Sequence, residues 1–133
     1  MARSAAASPF TPDPAAERRR LLGQRGESIA ARHLTRQGMV LLDRNWRCEM
    51  GEIDLVLRDG QVLVICEVKT RTSLDYGSPL EAVNQAKADR LTRLAYRWLR
   101  EHDCHPSDLR VDVVGVLVPP GRPVEIEHVT GIG

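Results

Sequence analysis

Asp54, Glu67 and Lys69 are the residues whose types and spacing could do chemistry. Two aliphatic-rich runs, 52–57 and 62–69, flank the dipeptide Asp59-Gly60, the strongest short hairpin signal a sequence offers. With Asp59 and Gly60 as the central turn residues, Arg58 faces Gln61, Ile53 faces Cys66, Leu55 faces Val64 and Leu57 faces Val62. That register makes one continuous aliphatic face. The other face carries Glu52 opposite Glu67, Asp54 opposite Ile65 and Val56 opposite Leu63, with Lys69 pointing the same way. A slip of one residue would mix the two sets, so the aliphatic face supports the register independently. Asp54 and Glu67 become diagonal neighbours, with Cβ atoms roughly 7 Å apart.

Two carboxylates at that separation can converge on one cation, and Glu52 opposite Glu67 repels it unless something bridges them. Mg²⁺ or Mn²⁺ fits, because Mg²⁺ needs only one or two protein carboxylates and takes the rest of its shell from water and phosphate. Such an ion lowers the pKa of a bound water and neutralises charge on a phosphodiester. Lys69 beside it can orient the attacking water and stabilise the transition state. The competing account is a Glu67–Lys69 ion pair at a strand end. It must also explain why Glu52 and Asp54 share that face.

These residues have to be positioned by neighbouring elements. Residues 17–37 carry Leu22, Ile29, Ala30 and Leu34 near helical spacing, and Gly38 ends the run. Gly23 and Gly26 lie inside it at a cost of about 1 kcal/mol each relative to Ala, which points to close packing against the sheet. Met39–Leu42 begins a strand running toward Trp46. Ser78, Pro79 and Glu81 read as N-cap, N1 and N3 of a helix running to about Glu101, with Val83, Leu91, Leu94, Ala95 and Trp98 buried. Residues 111–118 form a buried strand, and 124–128 alternate as an edge strand. Strand 62–69 is apolar on both faces up to Glu67, which makes it central. The order is α-β-β-β-α-β-β, an α/β layer arrangement. Residues 1–16, rich in Ala, Ser and Pro, read as a disordered tail before a single domain, 17–133, and Pro9, Pro12 and Pro14 interrupt any secretory h-region.

Composition narrows the function classes. A chain of 133 residues suits one domain, and 42% apolar content excludes bulk disorder. No apolar run approaches the ~20 residues of a membrane span. Aromatics are 4%, so base stacking is set aside as the main activity. Cys48, Cys66 and Cys104 lack CxxC spacing, and His102 and His105 have no partner set, so neither a disulfide framework nor a zinc site is expected. A cytoplasmic location follows. The net charge of +1 hides a pattern: residues 17–36 carry six Arg against two Glu, and 87–100 carry Lys87 and four Arg against Asp89. These are solvated helix faces or phosphate-binding faces. On them, Lys87 can reach a phosphate or snorkel. Gln85 follows it more weakly, Arg71 lies near the mouth of the site, and Arg25 belongs to the first basic run.

An Asp, a hairpin and then Glu-x-Lys resembles the pattern of the PD-(D/E)xK nuclease superfamily, the restriction-endonuclease-like fold. Gly23-Gln24-Arg25-Gly26-Glu27, Arg44-Asn45-Trp46-Arg47-Cys48, Gly51-Glu52-Ile53-Asp54-Leu55 and Glu67-Val68-Lys69-Thr70-Arg71 resemble the YraN family of bacterial proteins. So do Tyr76-Gly77-Ser78-Pro79 and the stretch Lys87 to Arg90-Leu91, so that the likeness covers roughly residues 21–118. The resemblance implies a restriction-endonuclease-like core with a central mixed sheet flanked by helices. It implies Asp54 and Glu67 as metal ligands and Lys69 as the water-positioning group. Glu27 matches a helical acid that Holliday-junction resolvases add to the site. Ile53 stands where the superfamily signature has Pro. The reading is an Mg²⁺- or Mn²⁺-dependent endonuclease acting on DNA, with Asp54, Glu67, Glu27 and Glu52 around the cation, and with a homodimer required if two strands are cut. The alternatives are a nucleic-acid-binding module that keeps the fold without cutting, and an adaptor whose acids are ordinary ion-pair partners.

Overall fold

A computed structural model describes residues 13–73, 75, 77–78 and 83–132. The elements run α1 (Pro14–Arg36), β1 (Val40–Cys48), β2 (Gly51–Asp59), β3 (Val62–Arg71), α2 (Gln85–His102), β4 (Asp108–Leu117) and β5 (Glu125–Val129). The five strands form one sheet in the order β1-β2-β3-β4-β5. Only β3 and β4 are parallel, because α2 carries the chain back between them. Central β3 is buried from Leu63 to Val68, as its two-sided apolar pattern requires.

Each sheet face is covered by one helix. Ala30, Ala31 and Leu34 of α1 pack on Leu55, Leu57, Val64, Cys66, Val114 and Val116. Leu91, Leu94, Ala95 and Trp98 of α2 pack on Ile53, Val56, Leu63, Ile65 and Val111. Fully burying such an aliphatic side chain stabilises the fold by about 1.5–3 kcal/mol. Trp98 also donates its Nε1–H to Asp43 Oδ2 at 2.9 Å, fixing α2 to β1.

The helix ends depart from the sequence reading. Asp13 caps α1 by accepting from the Ala15 N–H at 3.1 Å, with Pro14 in the first turn. Residues 14–16 are therefore helix and not tail. Asn84 caps α2 by accepting from the Lys87 N–H at 3.0 Å. The helix thus starts at Gln85, and half-buried Val83 precedes it. The expected start at Pro79 and Glu81 lies outside the described residues.

The hairpin register also differs. Asp59 pairs with Val62, Val56 with Ile65, and Leu55 with Cys66. Gly60 and Gln61 make the turn, because Gly60 takes the left-handed conformation at φ 61. The shift of two residues preserves which face each β3 side chain takes, but the expected pairings of Asp54 with Ile65 and of Glu52 with Glu67 do not form: Ile65 pairs with Val56, and Glu67 faces α2 through Lys87. Ile53, expected to share a face with Leu55 and Leu57, packs under α2 instead. The alternation breaks at Asp54, between them.

Candidate active site

The break in alternation gives Asp54 its environment. The last recorded pair of the β2–β3 ladder is Leu55 with Cys66. One step on, Asp54 Oδ2 accepts from the Val68 N–H at 2.8 Å, replacing a backbone partner with a side chain. The two strands part there, and the carboxylate sits in the fork. Burial, then the charge of Glu67, push the Asp54 carboxyl up to about 7. Glu67 is only 8% exposed, and its Oε1 receives Lys69 Nζ at 3.2 Å and Lys87 Nζ at 3.0 Å. One ammonium comes from β3 and the other from the first turn of α2.

The two lysines titrate as a pair. Burial, then hydrogen bonding with Lys87, lower the pKa of Lys69, and Glu67 only partly restores it. For Lys87 burial works downward, but hydrogen bonds with Lys69 and Glu67 and the charge of Glu67 outweigh it, and its pKa is raised.

Two cavities meet over these groups. One, of about 500 Å³, reaches toward α2 and is rimmed by Arg47, Lys87 and Arg90. The other, of about 370 Å³, reaches toward α1 and is rimmed by Arg19 and Arg71, with Glu27 in its wall. Glu52, Asp54, Glu67 and Lys69 line both. Glu27 reaches the site because Gly26 lets α1 approach β3: a Cβ there would overlap Thr70. Gly23, by contrast, has nothing within 4 Å of its missing Cβ. Burial raises the pKa of Glu27, and Arg44 and Asn45 offset part of that rise.

The structure thus brings Asp54, Glu67, Lys69, Lys87, Glu27 and Arg71 to one place. Glu52 is present at the rim, with its side chain 52% exposed and paired to Arg47 Nε at 3.0 Å. Among the described residues no group of three or more His, Cys, Asp or Glu side chains is set to hold a metal, so the four acids do not form a single ligand cage. Gln85 is exposed and donates to Asp89 Oδ1 at 2.8 Å, outside both cavities. Arg25 lines a separate cavity between α1 and β5, with Arg32 and Arg36. Sequence reasoning missed Arg19, Arg47 and Arg90 as the cationic rim. It also passed over Asn45, whose sequence signal is an Asn amid strand formers. The three cysteines are free. Among the described residues no helix is long and apolar enough to cross a membrane.

The element order, the five-stranded mixed sheet and the helix on each face are consistent with a nuclease-like core. Residues 26–116 match the uncharacterised protein family UPF0102, and the chain belongs to that family. It is 57% identical over 124 residues to a UPF0102 protein of a Nocardioides species, covering 93% of this chain and all of that one. A UPF0102 protein of Frankia alni is 57% identical over 110 residues, covering 83% of this chain and 92% of its own. One from an Arthrobacter species is 55% identical over 113 residues, covering 85% and 96%.

Proposed function

We propose that this protein is a metal-dependent endonuclease that hydrolyses phosphodiester bonds in DNA, in the cytoplasm. The observation that carries the reading is the fork at Asp54, where two mutually repelling, largely buried carboxylates and a lysine of lowered pKa lie at the junction of two cation-rimmed cavities. The donor set fits Mg²⁺ or Mn²⁺: both ligands are hard carboxylate oxygens, and the charge that pushes Asp54 up is what a divalent cation would relieve. When bound, the cation supplies charge neutralisation at the phosphate and an acidified water. Asp54 and Glu67 would hold it. The Lys69 ammonium would orient the attacking water and stabilise charge in the transition state. Lys87 stabilises charge building on the phosphate oxygens. Arg47 and Arg90 on one side and Arg19 and Arg71 on the other neutralise flanking phosphates. Because the acids open to both cavities, a strand can continue past the site in both directions, which favours an endonuclease over an exonuclease. The likeness to resolvases favours DNA, and cutting both strands of a branched substrate would require two copies. Free thiols accord with a reducing compartment.

One observation favours a second reading. Glu67 Oε1 already carries two ammonium groups, as it would in a nucleic-acid-binding module that has lost its cation. Purified protein with single-stranded, duplex and branched DNA, and with RNA, separates the two. Cutting is expected in Mg²⁺ or Mn²⁺ and absent in EDTA. Lys69→Ala should cut at least a hundredfold more slowly with binding nearly unchanged, because its role is in the transition state. Binding that falls steeply with salt but never leads to cutting, on any substrate, would move the assignment to the binding module.

A further inference from the structure

Among the described residues, Asn45 and Asp103 are the two non-glycine positions with positive φ, at 54° and 47°. Asp103 ends α2, where a left-handed residue is usual. Asn45 sits inside a strand, where it is not. Its neighbours Arg44 and Trp46 pair with Leu55 and Ile53, so Asn45 stands opposite Asp54. The surrounding donors and acceptors assign the Asn45 amide nitrogen to the α1 side, where it lies 2.8 Å from Glu27 Oε2 and 3.2 Å from Glu27 Oε1 and donates to both. Arg44 grips the same turn of α1, donating to Ser28 Oγ at 2.8 Å and to Gln24 O at 3.2 Å. Two consecutive β1 residues thus hold the helical turn that carries Glu27.

The residue type follows from combining both demands. The left-handed backbone favours Gly, Asn or Asp. Gly would satisfy the backbone and leave the carboxylate loose. Asp would satisfy it and repel Glu27. Asn alone meets the conformation and donates to the acid. We propose that Asn45 is a positioning residue of the cation site. Its amide fixes the Glu27 carboxylate in the wall of the cavity shared with Asp54 and Glu67, so that Glu27 acts as the outer acid of the metal site. This rests on the metal-site reading above and extends it to a residue that touches neither substrate nor cation.

Asn45→Gly tests it, because glycine keeps the left-handed backbone and removes only the amide. Mn²⁺ is titrated into wild type, Asn45→Gly, Glu27→Ala and the double variant, with bound ion read by electron paramagnetic resonance and each protein melted without metal. Asn45→Gly should melt at or above the wild-type temperature, yet bind Mn²⁺ about tenfold more weakly, the lower end of the loss seen when an outer-shell partner is removed. The double variant should bind no more weakly than Glu27→Ala alone, since the amide acts only through that acid. If Asn45→Gly melts several degrees lower, Asn45→Asp repeats the measurement with the backbone preference retained, and a like charge in place of the donor should again weaken Mn²⁺. Wild-type affinity in Asn45→Gly, or losses that multiply in the double variant, would overturn the positioning role and leave the metal site standing. No Mn²⁺ binding by the wild type would remove both.

Discussion

Two acids on the strands that flank β3, Asp112 of β4 and Asp54 of β2, show opposite ways of keeping a carboxylate out of water. Glu67 of β3 pairs with Val113 of β4, and the residue before Val113 is Asp112, which pairs with Cys66. One step of the ladder turns the side chain to the other face of the sheet. Asp112 is fully buried and its oxygens are saturated. Arg110 Nε and Nη2 lie at 2.9 and 3.1 Å, His128 Nε2 at 2.8 Å and the Gly131 N–H at 3.0 Å. Arg110 is itself held by Asp59. Asp54, by contrast, has one backbone donor and faces a second carboxylate. The first arrangement spends an acid on tying the C-terminal strand to the sheet. The second leaves an acid poorly compensated where two cavities meet, a cost to the fold that the proposed cation site would explain.

The largest effect should come from breaking the saturated cluster. Asp112→Ala leaves a half-buried guanidinium held by Asp59 alone and strands an imidazole and a backbone N–H, and breaking a buried pair from one side costs about 3–5 kcal/mol. Urea denaturation should show this loss, with β5 and the C-terminal residues losing amide-exchange protection first. A loss under 1 kcal/mol would mean that Arg110 and Asp59 suffice and that the contrast between the two acids is overdrawn.

The open acid should respond in the opposite sense. The Asp54 carboxyl is raised from 3.8 to about 7 in the fold. A raised pKa means the folded state binds the proton more tightly than the unfolded one. The corresponding stability is fully present below pH 4 and is lost as pH rises through 7. Asp54→Asn keeps an acceptor for the Val68 N–H and removes the titration. Three units at about 1.4 kcal/mol each set a ceiling of about 4 kcal/mol, and relaxation of a partly exposed group brings the expected gain to about 1–2 kcal/mol. Without metal, the variant should be more stable than wild type at pH 8 and indistinguishable at pH 4, while failing to cut DNA at any pH. Equal stability at pH 8 would show that Asp54 is compensated as Asp112 is.

Much of the setting of the open acid is legible in the chain. The acids, the Glu-x-Lys spacing and the hairpin all follow from alternation, and β3 was placed at the centre by its two-sided apolar run. Family likeness supplied Glu27. What escaped was set by backbone detail. A Gly60-Gln61 turn is as short as an Asp59-Gly60 turn, so composition could not decide a register shift of two that leaves every β3 face intact. The break at Asp54 lies across the ladder from a left-handed Asn45, and strict alternation put Ile53 on the wrong side. Gln85 looked poised beside Lys87, but on the first turn of α2 it points elsewhere and pairs with Asp89. The rest of the arginine rim comes from three separate elements, and no local pattern links Arg19, Arg47 and Arg90.

The two glycines of α1 give a smaller test of why the open acid has its helical neighbour. Gly26→Ala puts a methyl group into Thr70. Either α1 or β3 must move, at about 1–3 kcal/mol, and the shift carries Glu27 away from Asp54. Thermal melting should fall, and Mn²⁺ binding should weaken with it.

Gly23→Ala should have the smallest effect, and of opposite sign. Nothing lies within 4 Å of the position a Cβ would take, and the residue sits well inside α1. The substitution therefore adds no contact and removes none. What it changes is the unfolded chain and the helix itself, where glycine costs up to about 1 kcal/mol relative to alanine. The variant should be more stable by about 0.5–1 kcal/mol, read as a small rise in the urea midpoint at unchanged slope. Gly23 also lines the α1-side cavity, between Leu22 and Glu27. If its absence of a side chain serves only the helix's path, DNA binding and cutting will be unchanged in the stabilised variant. If the space above it admits the substrate backbone, the same methyl group will stabilise the protein and weaken DNA binding together. That combination would place the glycine with the open acid as a feature kept for the ligand at a cost to the fold.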